Sequence, residues 1–104
     1  MDRTYTMDEL KNLLAPLFPA YAVYKAILFG SYARGEATQR SDVDLVVDSR
    51  GKLLNINFYG LLEDIVQRLG KKIDLIELSE IQKGSEIDRI IAREGVVIYE
   101  AVTA

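Results

Sequence analysis

The sequence predicts a single α/β (α+β) domain over residues 1–104, with helices on one face of a small mixed sheet and a site on the other. Two patterns favour this fold class. Apolar residues recur at helical spacing in three long segments, and four shorter segments are continuously apolar or alternate with a period of two. A chain of this length can bury a core but is too short for a second domain.

Composition limits the function. The chain is 49% hydrophobic and 28% charged, which is typical of a soluble globular protein. Its net charge of −3 argues against strong nucleic-acid binding. It has no cysteine and no histidine, so a metal would need oxygen ligands, which favours Mg²⁺ or Mn²⁺. Without an apolar run of membrane-spanning length or a signal-peptide pattern, we expect a cytoplasmic protein with no membrane partner.

The first predicted helix begins near Thr6, which has Glu9 at the spacing of a capping box. Its apolar stripe is expected to face the core. The stripe consists of Leu10, Leu13, Leu14 and Leu17. Because two prolines follow, we expect this helix to end between Ala15 and Phe18.

The next segment predicts a strand that leads into a phosphate-binding turn. Residues 23–29 are almost all apolar, with β-branched and aromatic side chains, which favours a buried strand. Gly30 follows, where a missing side chain lets the backbone approach a ligand closely. Ser31 is expected to cap a short helix through Ala33, whose N-terminal amides would face an anion. Arg34 adds a planar set of donors suited to phosphate.

Residues 42–48 alternate with a period of two and predict a second strand. Asp42 and Asp44 then lie on one face, roughly 6.5–7 Å apart at the backbone. Two like charges so placed repel, and a hard divalent cation would remove the conflict. With a third carboxylate, the group could hold two ions about 3.5–4 Å apart. A solvated sheet edge is the usual reason for Asp-X-Asp alone, but the preceding Gly-Ser turn favours a site.

Residues 55–69 predict the longest helix, which Gly70 ends. Its apolar face is expected to cover the sheet face made by Val43, Leu45 and Val47. That helical face consists of Phe58, Leu61, Leu62, Ile65, Val66 and Leu69.

Residues 72–78 predict a third strand, on which Asp74 lies among apolar neighbours. Burying an unpaired charge is costly, so this aspartate needs a partner. A salt bridge to Lys25 or Lys72 is one explanation. We prefer the interpretation of Asp74 as the third metal ligand and a catalytic base.

Ser85 and Asp88 then begin a last helix that Gly95 ends, with three inward-facing isoleucines at positions 87, 90 and 91. Residues 96–99 predict a short strand at an edge of the sheet.

The spacing of the site residues resembles a known signature. Gly30-Ser31, then ten residues, then Asp42-X-Asp44, is similar to the signature of the polymerase-β-type nucleotidyltransferase superfamily. Arg34-Gly35 and Ser41-Asp42 resemble its smallest members, the minimal nucleotidyltransferase (MNT) family. These proteins are typically antitoxins paired with a HEPN-domain ribonuclease toxin. The resemblance covers nearly the whole chain, including Asp74, and implies the nucleotidyltransferase fold.

The resemblance also implies a reaction, in which a nucleoside monophosphate passes from an NTP, expected to be ATP, to a hydroxyl. It assigns nucleotide binding to Gly30, Ser31 and Arg34. It assigns metal binding and catalysis to Asp42, Asp44 and Asp74. Two Mg²⁺ ions would bind there, with Mn²⁺ as an alternative, and Asp74 would accept the proton of the attacking hydroxyl.

Three classes of function stay open. The resemblance favours an enzyme that adenylylates a cognate HEPN toxin at a tyrosine, as in a type VII-like toxin–antitoxin system. A second class transfers a nucleotide to a small molecule such as an aminoglycoside, but those enzymes resemble this domain joined to a helical domain that this sequence does not contain. The third is a non-enzymatic antitoxin that occludes its partner, and a carboxylate triad argues against it because binding alone does not need one.

Overall fold

The computed structural model describes residues 3–102, and in this range a four-stranded sheet has the strand order β3-β2-β1-β4. In chain order, the elements are α1 (Met7–Leu14), β1 (Lys25–Phe29), α2 (Ser31–Arg34), β2 (Val43–Asp48), α3 (Asn55–Leu69), β3 (Ile73–Glu77), α4 (Glu86–Glu94) and β4 (Val96–Glu100). Single 3-10 turns lie at Pro19–Tyr21 and Leu78–Glu80. Over residues 3–102, no helix has the length and apolar character needed to cross a membrane.

The sheet is mixed, as predicted. β1 pairs in antiparallel fashion with both β2 and β4, whereas β2 and β3 are parallel. A parallel pair needs a long crossover connection, and α3 provides it. β4 lies at an edge of the sheet, which confirms the prediction for residues 96–99.

The core lies between one face of the sheet and the two helices α1 and α3. From the sheet it includes Ala26, Leu28, Val43, Leu45 and Val47, and from the helices Leu10, Leu14, Leu61, Ile65 and Leu69. The predicted bounds of α3 and its position over the sheet are therefore confirmed. Its other apolar residues are only partly buried at the rim of the core: Phe58, Leu62 and Val66.

The start of α1 is as predicted. Thr6 and Glu9 form a reciprocal capping box, in which the Thr6 side chain accepts from the Glu9 amide and the Glu9 carboxylate from the Thr6 amide. The helix ends at Leu14, with Ala15 as its C-cap, at the near edge of the predicted boundary.

The predicted start of the first strand at residue 23 is wrong, because β1 begins at Lys25. Ala22 has a left-handed backbone with φ of 57°, which ends the 3-10 turn opened by Pro19. The chain therefore changes direction just before Val23. Val23 is nevertheless 2% exposed, so its apolar character indicated burial and not strand structure.

The last helix, α4, packs against β1 on the side of Ile27, which alternates with the core residues Ala26 and Leu28. This is the face of the sheet away from α1 and α3. The inward face predicted for α4 is only half-buried at each of its three isoleucines, at positions 87, 90 and 91.

A buried glutamate, Glu77, ties the end of β3 to the end of β2. One oxygen of its carboxylate accepts hydrogen bonds from the Ser49 amide, at 3.0 Å, and from the Ser49 hydroxyl. The other accepts from the Ser79 amide at 2.9 Å. Burial raises the pKa of Glu77, but these hydrogen bonds outweigh burial and lower the pKa below its ordinary value. The Ser79 bond also explains why β3 ends at Glu77, one residue before the predicted end.

We expect Glu77→Gln to lower the free energy of unfolding at neutral pH by roughly 1.5–3 kcal/mol, the size of a hydrogen bond to a charged group. Because the folded-state pKa of Glu77 is depressed, its ionised form stabilises the fold above the unfolded-state pKa. This stabilisation is lost as pH falls through the folded-state pKa. Urea unfolding at several pH values should therefore show the difference between the two proteins shrinking in acid.

The matched control is Glu80→Gln, which changes an exposed glutamate three residues along the chain. It should leave both the stability and its pH dependence nearly unchanged. Parallel pH profiles for wild type and Glu77→Gln would contradict the role of the buried carboxylate.

Candidate functional site

The Gly-Ser turn joins β1 to the short helix α2 on the way to the carboxylate-bearing strand. The prediction that Ser31 caps this helix is wrong, because Gly30 is the N-cap and Ser31 is the first helical residue. The helix extends to Arg34, one residue beyond the predicted end, and Gly35 ends it with φ of +73°. The Ser31 hydroxyl is therefore not used as a helix cap.

Gly30 touches the candidate carboxylates directly. A β-carbon built on it would lie 2.1 Å from Oδ2 of Asp44, much closer than atoms can approach. Its φ of +76° is also a backbone conformation that side chains disfavour. The missing side chain at Gly30 thus leaves space for the Asp44 carboxylate, in addition to the ligand that the sequence suggested.

Strand pairing brings two of the predicted acidic residues together. Asp44 on β2 lies opposite Phe29 on β1 and opposite Asp74 on β3. Paired residues project to the same face of a sheet, so the two carboxylates lie side by side. That face is the one away from the core, because the core takes the alternate β2 residues Val43 and Leu45.

The surroundings of Asp44 disfavour its charged form. Burial raises its pKa from 3.8 to about 6, helped by a hydrogen bond to the Asp74 carboxyl and by the negative charges of Asp74 and Asp42. The positive charge of Arg34 opposes this rise. Burial and the neighbouring carboxylates thus outweigh the positive charge of Arg34.

Asp42 lies just before β2, at the edge of the group. Its Oδ2 is 3.7 Å from the Lys72 ammonium, an exposed contact that contributes little stability. Lys25 pairs with Glu100 instead, at 3.8 Å. The alternative explanation of Asp74 as a partner of either lysine is therefore wrong within residues 3–102.

The expectation that Asp74 is buried among apolar neighbours is also wrong. Asp74 is exposed, because β3 is an edge strand. The cost of burying its charge therefore gives no argument for a partner. The interpretation of Asp74 as a site residue therefore rests on its position beside Asp44.

The donor chemistry of this group fits a hard divalent cation. Its ligands would all be carboxylate oxygens, and a cation would neutralise the negative charges of Asp74 and Asp42, which add to the effect of burial in raising the pKa of Asp44. The arrangement is a close pair, Asp44 and Asp74, with Asp42 turned toward Lys72. Among the described residues, no three such side chains are already grouped to bind one ion. Asp42 would have to leave its lysine to join the pair.

Arg34 is already bound by two carboxylates. Its Nη1 donates to Oε1 of Glu94 at 3.0 Å, and its Nε donates to Oε1 of Glu36 at 3.2 Å. The Gly30 amide also donates to Oε1 of Glu94, at 3.1 Å. The predicted phosphate donors are thus partly engaged within the protein.

Sequence reasoning gave no role to Glu94. It is the last residue of α4 and lies 64 positions beyond Gly30. The only signal was its place in the segment Arg93-Glu94-Gly95, directly before the last strand.

An open groove of about 950 Å³ lies beside Asp42, between the C-terminal half of α3 and the loops before β2 and β3. Its floor includes Leu62 and Val66 of α3. Three cations line it: Arg40, Lys71 and Lys72. Of the candidate site residues, only Asp42 lines this groove.

The chain matches known proteins along most of its length. The family model for polymerase beta nucleotidyltransferases matches residues 11–103. Protein adenylyltransferase MntA of Thermococcus cleftensis is 34% identical over 98 residues, which cover 90% of this chain and 95% of that protein. A Methanocaldococcus jannaschii protein, named as a candidate protein adenylyltransferase, is 38% identical over 82 residues, which cover 73% and 82% respectively.

Solved structures share the fold. A chain from a toxin–antitoxin structure with AMP-PNP aligns with a TM-score of 0.75 at 22% identity, covering 88% of this chain and 73% of that one. A chain from the complex of a tri-AMPylated Shewanella oneidensis HEPN toxin with its MNT antitoxin aligns with a TM-score of 0.71 at 19% identity, covering 92% and 74%. The arrangement of strands and helices described above is therefore found in both.

We expect Gly30→Ala to destabilise the protein more than Gly35→Ala does. At Gly35 the backbone is left-handed (φ 73°, ψ 22°), which costs alanine roughly 1–2 kcal/mol. At Gly30 (φ 76°, ψ −155°) the backbone lies in a region that is essentially restricted to glycine, so the strain there is larger. A β-carbon at Gly35 meets nothing within 4 Å, whereas one at Gly30 collides with the Asp44 carboxylate. Thermal melting therefore compares strain and collision together at Gly30 with strain alone at Gly35, and equal losses would contradict the prediction.

We expect Asp44→Asn to stabilise the metal-free protein above pH 6. The pKa of Asp44 is raised in the folded state, so its protonated form contributes stability below the ordinary carboxyl pKa. That contribution is lost as pH rises through about 6, whereas asparagine stays neutral. Melting in the presence of a chelator measures the effect, and added Mg²⁺ should reduce it.

Asp48→Asn, at the other end of the same strand, is the control and should not stabilise the protein. A lower melting temperature for Asp44→Asn under chelation would show that its charge serves the fold.

Proposed function

The chain belongs to the polymerase beta nucleotidyltransferase family, and on this basis we propose that it transfers AMP from ATP to a tyrosine hydroxyl of a cognate HEPN-domain toxin. It would thereby act as the antitoxin of a toxin–antitoxin pair. Membership of the family rests on the match to residues 11–103 and on relatives more than 30% identical over most of both chains. The nucleotide, the acceptor and the metal belong to the proposal.

The observation that carries this proposal is the row made by three paired strands. Asp44 and Asp74 lie side by side, and Gly30 lies against the Asp44 carboxylate without a side chain between them. A phosphate-binding turn would thus directly adjoin a group of carboxylates. Phosphoryl transfer requires mainly positioning and neutralisation of charge, which this arrangement can supply.

The groups available for the phosphates differ from those expected from the sequence. Because the Gly30 amide is bonded to Glu94, the terminal phosphates would be held by the Ser31 hydroxyl, the following amides and the remaining Arg34 donors. Arg34 is 44% exposed at its side chain, so it can contact a ligand while still bonded to Glu94. A guanidinium can bind carboxylate and phosphate at once through different nitrogens.

The reaction forms a bond from the acceptor oxygen to the α-phosphorus and breaks the bond from that phosphorus to the leaving pyrophosphate. Asp74 is exposed beside Asp44 and would accept the proton of the acceptor hydroxyl. Asp42, Asp44 and Asp74 would hold two Mg²⁺ ions, or Mn²⁺ in their place. When bound, these ions would favour ionisation of the acceptor and neutralise charge on the pyrophosphate.

The acceptor would complete the site. Asp74 is exposed on an edge strand, whereas small-molecule pockets usually bury most of their ligand. A folded protein docked over the open face would enclose the reacting groups. Relatives are named protein adenylyltransferases, and a neighbour of the same fold is an MNT antitoxin complex with an AMPylated HEPN toxin.

The test is transfer to the partner. The purified chain, given Mg²⁺, ATP and its cognate HEPN protein, is expected to add one or more AMP units to that protein, seen by intact-mass spectrometry. Asp74→Asn should lose at least about 10²-fold in rate, because general-base catalysis contributes that much. Asp8→Asn, an exposed change on α1 across the sheet, should retain the wild-type rate.

Two outcomes would overturn the proposal. If no NTP changes the mass of the partner while a tight complex still neutralises it, the chain is an occluding antitoxin. If an aminoglycoside is modified and the protein is not, the chain is a small-molecule enzyme.

A further inference from the structure

The Gly30 amide lies beyond the backbone ladder between β1 and β4. The last pair of that ladder is Leu28 with Val96, so β4 offers no backbone partner two residues further on. Oε1 of Glu94 takes this place and accepts the Gly30 amide at 3.1 Å. A side chain therefore continues the sheet pairing into the Gly-Ser turn.

The same oxygen also binds the other end of α2. Oε1 of Glu94 accepts from Nη1 of Arg34 at 3.0 Å, so one atom links the N-cap of this helix to its last residue. The Glu94 side chain is only 14% exposed, whereas Glu36, the second partner of Arg34, is 65% exposed. Hydrogen bonds to charged groups are worth most where water is excluded.

The residue after Glu94, Gly95, is closely packed against α4 and β1. A β-carbon on the next residue, Gly95, would lie 2.5 Å from the Ile91 carbonyl oxygen and 2.8 Å from Cγ2 of Ile27. The end of α4 can therefore approach β1 this closely only because residue 95 is glycine. This approach brings the Glu94 carboxylate within reach of the turn.

We propose that Glu94 is a positioning residue, which fixes the Gly-Ser turn and Arg34 in the arrangement that binds the terminal phosphates of the nucleotide. This inference rests on the proposed function. Glu94 contacts the turn at the Gly30 amide, while Asp44 contacts it at the α-carbon, so the turn is held from two sides. Glu36 takes Nε of Arg34 and Glu94 takes Nη1, which within residues 3–102 leaves Nη2 for a phosphate oxygen.

The alternative is competition, in which the Glu94 carboxylate occupies the place of a phosphate and must leave when the nucleotide binds. The two roles predict opposite effects. Removal of a positioning group weakens binding of the triphosphate, whereas removal of a competing anion tightens it. The low exposure of Glu94 and its two hydrogen bonds favour positioning, because a displaced carboxylate would leave the Gly30 amide and Nη1 of Arg34 without this acceptor.

The test compares ATP with AMP by calorimetry in Mg²⁺ for wild type, Glu94→Ala and Glu94→Gln. Glu94→Ala is expected to bind ATP about tenfold more weakly, with AMP binding nearly unchanged, because one hydrogen-bonded contact to the phosphate-binding groups is lost. Glu94→Gln keeps an acceptor oxygen and should recover most of the ATP affinity. A general structural defect would instead weaken the binding of both ATP and AMP, and it would also lower the melting temperature of the variant.

Glu36→Ala is the matched control, since it removes the other carboxylate from Arg34 without touching Gly30. It should leave ATP binding nearly unchanged, as exposed ion pairs contribute little. Gly95→Ala would disturb the packing that positions Glu94 and should also weaken ATP binding, as Glu94→Ala does.

Unchanged or tighter ATP binding by Glu94→Ala, with the wild type binding normally, would overturn this inference alone. A wild-type protein that binds no ATP in Mg²⁺ would overturn the proposed function together with it.

Discussion

The contact between Gly30 and the Asp44 carboxylate is the constraint on which the site depends. Strand pairing places Phe29, Asp44 and Asp74 in one row across the sheet, so the chain must leave β1 directly beside a charged side chain. Only a residue without a β-carbon fits there, and its positive φ turns the chain into α2. The same glycine therefore gives the carboxylate its space and sets the direction of the helix.

The two faces of the sheet shift carboxyl pKa values in opposite directions. On the core side, Glu77 receives hydrogen bonds from Ser49 and Ser79, and its pKa is lowered. On the other side, partial burial and two neighbouring carboxylates raise the pKa of Asp44 to about 6. The ionised Glu77 carboxylate therefore stabilises the fold, whereas ionisation of Asp44 destabilises it. The core between the sheet and helices α1 and α3 offsets that cost from the opposite face.

Local patterns predicted the elements and the motif well. The helix at residues 55–69 and the capping box at Thr6 follow from periodicity and capping signals, which act over a few residues. The arrangement of the mixed sheet was implied by the family resemblance and not by periodicity. The period of two also predicted that Asp42 and Asp44 share a strand face, whereas Asp42 lies just before the start of β2. The exposure of Asp74 could not be predicted from local patterns, because it depends on β3 being an edge strand. The contact of Glu94 joins residues 64 positions apart, which no local pattern reports.

A helix of four residues cannot fix its own position, since it closes too few hydrogen bonds to offset the entropy of ordering them. α2 is instead held by the buried Tyr32 in its middle and by Glu94 at both ends. The groups that would bind phosphate thus depend on α4, which follows all the other elements of the site in the sequence. Helix α4 therefore belongs to the proposed nucleotide site through Glu94, although it carries none of the residues of the sequence motif.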